Sequence, residues 1–153
     1  MVSGGESHER PVVVCGIGNS TRGDDACGPY VVEMLKDKDS RLSLIDCGLA
    51  PENFTGKIKH INPRMIVIVD AADLGRDAGS FEKIDIEKIK GQLMSTHKLP
   101  VSLFIEFLQK EIGCAVEFIG IQPKGLGFCE DMSEECVLGC DRVVEMILEL
   151  VDA

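Results

Sequence analysis

The chain has 153 residues, 44% of them apolar and 27% charged, with 26 acids against 16 bases and a formal net charge of −10. That length accommodates one domain with one core, the apolar fraction excludes a disordered acidic tail, and the negative charge excludes a partner class, nucleic acid, that is bound by neutralising phosphates with clustered Lys and Arg. The longest apolar run, Met65–Val69, is far too short to span a membrane, and the polar start MVSGGESHERP lacks an apolar signal region, so a cytoplasmic protein without a membrane partner is expected.

Residues 1–10 read as a flexible N-terminal tail and 11–153 as a single domain. Pro11–Ile17 (PVVVCGI) is a short β-branched run that ends among glycines, the pattern of a buried strand. From about Asp25 to Asp37 the pattern is helical, with Val31, Val32 and Leu35 on one face. Leu42–Asp46 (LSLID) is a second strand, residues 51–59 are ambiguous between loop and short helix, and Met65–Asp70 (MIVIVD) is a third strand. Two of these strands end on an acid. Gly79–Asp85 alternates weakly, as an edge strand does, and Ile86–Met94 fits a short helix. Ser95–Pro100 is a loop. Val101, Phe104, Ile105 and Leu108 mark one face of a further helix. Cys114–Ile121 is another strand, and Gln122–Met132, with Pro123, Gly125 and Gly127, is a long loop. Ser133 caps a final helix that runs to Val151, with Glu134 and Glu135 favoured in its first turn by the helix dipole. The alternation of strand and helix gives an α/β fold: three layers, α/β/α, around a twisted, mostly parallel sheet. In such sheets sites form at the carboxyl ends of the strands. Here those ends are Gly16–Asp25, Asp46–Gly48, Asp70–Asp73 and Gln122–Gly127.

The glycine-rich turn after the first strand invites a dinucleotide reading, but a GxGxxG fingerprint would need Gly where Thr21 stands. A tight strand-to-helix turn needs the same glycines for backbone freedom. Asp24 and Asp25 stand where an N-cap would, and Asp46 and Asp70 stand where Asp commonly starts a turn. Together these acids would bring three or four carboxylates to one sheet edge, where mutual repulsion is relieved by a cation. His97, in the loop before the amphipathic helix, would complete an oxygen, oxygen, nitrogen ligand set with Asp25 and Asp70, suited to Ni(II), Zn(II) or Fe(II), although spacing does not show that the three meet. His8 falls in the tail, and His60, beside Lys57 and Lys59, reads as a surface residue. The seven cysteines contain no CxxC pair. Reduced, mostly buried thiols are expected. Cys136 and Cys140, one helical turn apart and preceded by Cys129, read as core packing. Cys15, Cys27 and Cys47 flank the crevice, yet no local His marks any of them as a nucleophile.

The segments GIGNSTRGDDACGP (16–29), IDCGLAPEN (45–53), IVIVDAADLG (66–75), STHKLP (95–100) and FIGIQPKGLGF (118–128), in this order and at these intervals, resemble the nickel–iron hydrogenase maturation endopeptidases. The resemblance is closest to the type that processes formate-hydrogenlyase-like hydrogenases. It implies a five-stranded sheet between helices and an aspartic-type hydrolase that removes the C-terminal extension of a hydrogenase large-subunit precursor after nickel insertion. The precursor is the implied partner, and Ni(II), carried by that precursor, or another divalent transition metal, the implied metal. By motif position the resemblance places the acidic ligands on Asp25 and Asp70 and the histidine on His97. These three are the candidate catalytic residues. It places a substrate-handling acid on Asp46, and site-shaping residues of the signature loop on Asn19 and Asp24. The chain departs from the family at Cys47-Gly48, where Gly-Gly is frequent; a cysteine there would narrow the crevice or add a soft ligand.

Two carboxylates and one imidazole make an incomplete coordination sphere, which a nickel-loaded precursor would fill with its own thiolates, so that an empty precursor stays uncut. Asp25 or Asp70 would act as general base on a water, or the metal would polarise the carbonyl. No serine triad and no HExxH helix is present. A nickel-binding chaperone that does not cut and a small-molecule binder at the glycine-rich turn are the alternatives. A monomer is expected. Residues 130–153 hold eight acids against Arg142 alone, a net of −7, so the acidic surplus belongs mainly to the solvated side of the last helix.

Overall fold

A computed structural model describes residues 10–89, 101–128 and 130–153. Strands β1 (Val12–Ile17), β2 (Leu42–Gly48), β3 (Met65–Ala71), β4 (Phe81–Ile84) and β5 (Ala115–Ile121) form one sheet in the order β2-β1-β3-β5-β4. The β2-β1-β3-β5 part is parallel, and β4 runs antiparallel on the edge of β5. The helices are α1 (Cys27–Leu35), α2 (Thr55–Ile61), α3 (Ile86–Ile89), α4 (Val101–Glu111) and α5 (Glu134–Asp152). One 3-10 turn, Gly23–Ala26, leads into α1, and another, Pro51–Phe54, leads into α2.

Strand alternation explains the layers. On β3, Ile66 and Ile68 face a core built with Val13, Cys15, Ile45 and Phe118, closed by Ile58 of α2 and by Phe104, Ile105 and Leu108 of α4. Val67 and Val69 face the opposite core, closed by Val31 and Leu35 of α1 and by Cys136, Cys140, Val143 and Ile147 of α5. Covering on both faces is what allows a continuous β-branched run to be a central strand, with about 1.5–3 kcal/mol from each large aliphatic side chain removed from water. The expected α/β/α sandwich is therefore the observed one. No helix among the described residues is long and apolar enough to cross a membrane.

The departures from the sequence reading are local. The chain between residues 51 and 61 is helical throughout, first 3-10 and then α. Strand β2 runs on to Gly48, and its register against β1 shifts between Gly16 and Ile17, so that Cys47 is the extra residue of a β-bulge. The helix expected over Ile86–Met94 is described only for Ile86–Ile89. Its remainder lies outside the described residues, as do the loop at 95–100 and residues 1–9. Arg10, assigned to the tail, is anchored: its guanidinium donates to the carbonyls of Asn62 and Pro63, at 3.0 and 2.8 Å. The final helix is capped as expected, with the Ser133 hydroxyl accepting the Cys136 N–H at 3.2 Å.

After β1 the chain crosses to β2 on one side and later returns to β3 on the other. This makes the β1/β3 boundary the switch point of the sheet. The start of α1 rests directly on it. A Cβ on Gly28 would run into the Ile17 carbonyl and lie 2.7 Å from the Val69 carbonyl, and a Cβ on Gly16 would run into the Gly28 carbonyl. The glycines of this turn thus serve backbone-to-backbone packing. Their free space is filled by the protein's own backbone. We predict that Gly28→Ala lowers stability by about 3 kcal/mol, the upper end for overpacking, because the colliding groups are all backbone atoms with no rotamer to escape into. Urea denaturation measures this, and a variant with an unchanged midpoint would contradict the packing described.

Candidate functional site

The turn between β1 and α1 builds the crevice. Gly18, at φ +149°, donates its N–H to the Gly48 carbonyl at 2.9 Å, and a Cβ there would collide with the Asp25 carbonyl. The segment from Ile17 to Ala26 is therefore folded tightly back on itself. Asn19 holds the fold from both of its ends. Its side-chain oxygen accepts the Thr21 N–H at 2.9 Å and the Thr21 hydroxyl at 2.6 Å, while its own N–H donates to Asp25 Oδ2 at 3.1 Å. Asp25 is 4% exposed. Its 3-10 turn packs against β3, where Asp70, opposite Gly120 of β5, is completely buried. Two buried carboxylates thus stand at the β1 and β3 edge, and neither is without a partner.

Asp24 faces away from this pair. Its Oδ2 accepts the N–H groups of Lys124 and Gly125 at 2.7 and 3.1 Å and the Ser133 hydroxyl at 2.9 Å, and its Oδ1 accepts the Ser133 N–H at 2.7 Å. The Asp24 N–H in turn donates to the Gly125 carbonyl at 2.8 Å. Burial pushes its carboxyl up, but the hydrogen bonds from Ser133, Lys124 and Gly125 outweigh burial and hold it below the ordinary value. Neither Asp24 nor Asp25 is the N-cap of α1. That position is Ala26, and no side chain caps it. Asp24 instead fastens the turn to the loop between β5 and α5, and to the very residue that caps α5.

Asp46 does not join the buried pair. It alternates with Ile45 and Cys47, which enter the core on the α2/α4 side, so it points to the other face and is exposed. Its charge acts on Lys36 at the end of α1, and its Oδ1 accepts the Gly48 N–H at 3.0 Å within the bulge. Asp70, by the same alternation, shares the face of Ile66 and Ile68. The expected cluster of three or four acids therefore separates into a buried pair, a structural tie and an exposed rim residue. His97 and Cys129 lie outside the described residues. Among the described residues no three His, Cys, Asp or Glu side chains are grouped to hold a metal ion.

Five of the described thiols, Cys15, Cys27, Cys47, Cys136 and Cys140, are buried in the cores. Cys47 is 3% exposed beside Cys15, and the Cys47 thiol together with burial raises the Cys15 thiol well above its ordinary value. The departure at Cys47 thus fills core space rather than adding a ligand to the crevice. On the other side, Cys27 lies against Cys136 and Cys140. A hydrogen bond with Cys136 lowers its thiol, but the Cys140 thiol and burial prevail and raise it. Raised, buried thiols are poor nucleophiles. Two polar residues escape the sequence reading. Gln122 accepts the Leu74 N–H at 2.6 Å, and Glu130 accepts the Gly127 N–H through its side chain at 3.0 Å and the Gly23 N–H through its carbonyl at 3.1 Å. The visible signal for Gln122 is a polar residue placed between an apolar strand and a proline. Leu49 and Phe128, 53% and 74% exposed, give this edge apolar side chains as well.

Comparison with known proteins points one way. Residues 29–150 match the HycI family, described as hydrogenase maturation protease. The hydrogenase 3 maturation protease of Escherichia coli K12 is 38% identical over 125 residues, covering 80% of this chain and 79% of that protein. The crystal structure of the [NiFe] hydrogenase maturation protease HycI from Thermococcus kodakarensis superimposes with a TM-score of 0.84 at 36% identity, covering 94% of each chain. A crystal structure of a hydrogenase 3 maturation protease gives 0.82 at 34% identity, covering 90% of this chain and 89% of that one.

The Asp24 tie has a measurable pH signature. Its folded-state carboxyl titrates below the unfolded value of about 3.9, so its contribution is complete above about pH 4 and is lost as the pH falls through the folded value. Asp24→Asn turns an NH2 group toward amide donors and should cost about 2–4 kcal/mol at pH 7. Chemical denaturation should show the gap to wild type narrowing below about pH 4. Equal stability at pH 7 would refute the tie.

Proposed function

This chain belongs to the hydrogenase maturation protease family, and from that premise we propose that it removes the C-terminal extension of a nickel–iron hydrogenase large-subunit precursor once nickel is in place. The observation that carries the reading is the pair of buried carboxylates, Asp25 and Asp70, set into the switch point of the sheet. Carboxylates withdrawn from water and placed near one another favour a cation. In this reading the cation is nickel, which arrives as part of the substrate, held by the precursor's own thiolates. Asp25, Asp70 and His97 supply the oxygen and nitrogen ligands that its sphere still lacks. Recognition then depends on nickel, and a precursor without it lacks the anchor.

Cleavage needs three things from the chain. The scissile peptide must be held beside the acids, a water must lose a proton to a carboxylate as its oxygen adds to the carbonyl carbon, and the departing nitrogen must gain a proton as the C–N bond breaks. Asp25 and Asp70 are the acids in reach for the proton transfers, which makes the site aspartic in type. Asn19 and Asp24 hold the turn that carries Asp25. Asp46, exposed on the rim, contacts the incoming segment, as do the apolar side chains of Leu49 and Phe128. The six described cysteines are all free, which fits action in the reducing cytoplasm, and the protein acts as a monomer.

We predict that Asp70→Asn and His97→Ala abolish cutting of a nickel-loaded precursor while the circular dichroism spectrum is retained, and that Asp46→Ala keeps kcat and weakens KM only several-fold. Mass measurement of the precursor over time reads all three. Full cleavage by the first two variants would remove the ligand assignment, and an unchanged precursor mass with wild type would leave a nickel-binding chaperone in its place.

A further inference from the structure

We propose that Gln122 is a positioning residue for the reaction, holding through its side-chain oxygen the backbone that leaves Asp70. The inference rests on the reading of Asp70 as a working carboxylate. Beyond Ala71 the parallel ladder ends, and the chain must turn through Ala72–Ser80 before β4 pairs again with β5. A backbone in such a turn needs partners for its amides. Here they come from the end of β5. The Ala72 N–H donates to the Ile121 carbonyl at 3.0 Å, and the Gly79 N–H to the Gln122 carbonyl at 2.9 Å. The Gln122 N–H donates to the Ser80 carbonyl at 2.8 Å. Between these main-chain bonds the tip of the turn is held by the Gln122 side chain, whose Oε1 accepts the N–H of Leu74 at 2.6 Å and of Arg76 at 3.4 Å.

The neighbouring residues of the same segment hold the turn of the other carboxylate. Lys124 and Gly125 donate their N–H groups to Asp24, next to Asp25. The run 122–125 is thereby bonded on one side to the turn after Asp70 and on the other to the turn that carries Asp25. It sets the separation of two acids that come from distant parts of the chain.

The test uses the full chain, a nickel-loaded precursor and three variants. Gln122→Met keeps the length of the side chain and removes the acceptor. Gln122→Glu keeps the acceptor. Asp70→Asn runs in parallel. Misplacement of a reacting group on the ångström scale costs up to about 100-fold in rate. Gln122→Met should therefore lower kcat about 10- to 100-fold with KM within about 3-fold of wild type, and its Leu74 and Arg76 amides should exchange faster with solvent. Gln122→Glu should stay within about 5-fold of the wild-type kcat, since its carboxylate oxygen still accepts the two amides. Should Gln122→Met not fold, Gln122→Asn, one methylene too short to reach the turn, carries the same expectation. Wild-type kcat in the Met (or Asn) variant, with Asp70→Asn inactive, overturns the positioning role and leaves the site intact. A fully active Asp70→Asn overturns both.

Discussion

A helix can lie directly on the backbone of a parallel sheet only where neither element has a side chain to interpose. Gly16 and Gly28 meet that condition at the switch point, where the start of α1 touches the carbonyls of Ile17 and Val69. Every other feature of the site depends on this close approach. It presses the 3-10 turn Gly23–Ala26 against β3, and so brings Asp25 to the strand end that carries Asp70. Without the contact, the turn would stand off by the thickness of a side chain, and the two acids would belong to separate surfaces.

A turn pressed into that place exposes no more of its own polar groups to water, so they must be satisfied within the protein. Asp24 does much of this. A fully hydrogen-bonded carboxylate, nearly inaccessible to solvent, ties the turn to the loop before α5 and to the cap of α5 itself. The sandwich is thus fastened across its carboxyl edge by hydrogen bonds, while the two apolar cores hold its layers. Of the large acidic surplus only Glu130 joins in, through the Gly127 and Gly23 amides. Most of the rest lies along α5, and Asp24, Asp25 and Asp70 come from a nearly balanced part of the chain.

The layers are legible in the sequence because their signal is additive. The run MIVIVD declares a doubly covered strand, and the i, i+3, i+4, i+7 spacing from Val101 to Leu108 declares a helix face. The stripe Cys136, Cys140, Val143, Ile147 and Val151 is buried in full. The roles of the individual acids are not legible in the same way. Asp24 and Asp25 are adjacent and chemically identical, and a cap is the plain local reading for either. What separates them is a loop one hundred residues further on, a long-range partner that no local pattern displays. Asp46 groups with Asp70 in sequence because both end strands. Strand alternation and the bulge at Cys47 turn Asp46 outward. Gln122 escapes notice for the opposite reason, since an uncharged residue that works through backbone amides leaves little trace in composition. The family resemblance, carried by ordered blocks along most of the chain, goes beyond what these local signals support.

Nickel dependence is the central claim, and the most direct measurement of it compares two preparations of one precursor. The isolated protein is incubated with the nickel-loaded and the nickel-free form, and the mass of each is followed. Loss of the C-terminal extension from the loaded form alone is the result that the proposed nickel recognition by Asp25 and Asp70 predicts. Equal cleavage of both forms would contradict it.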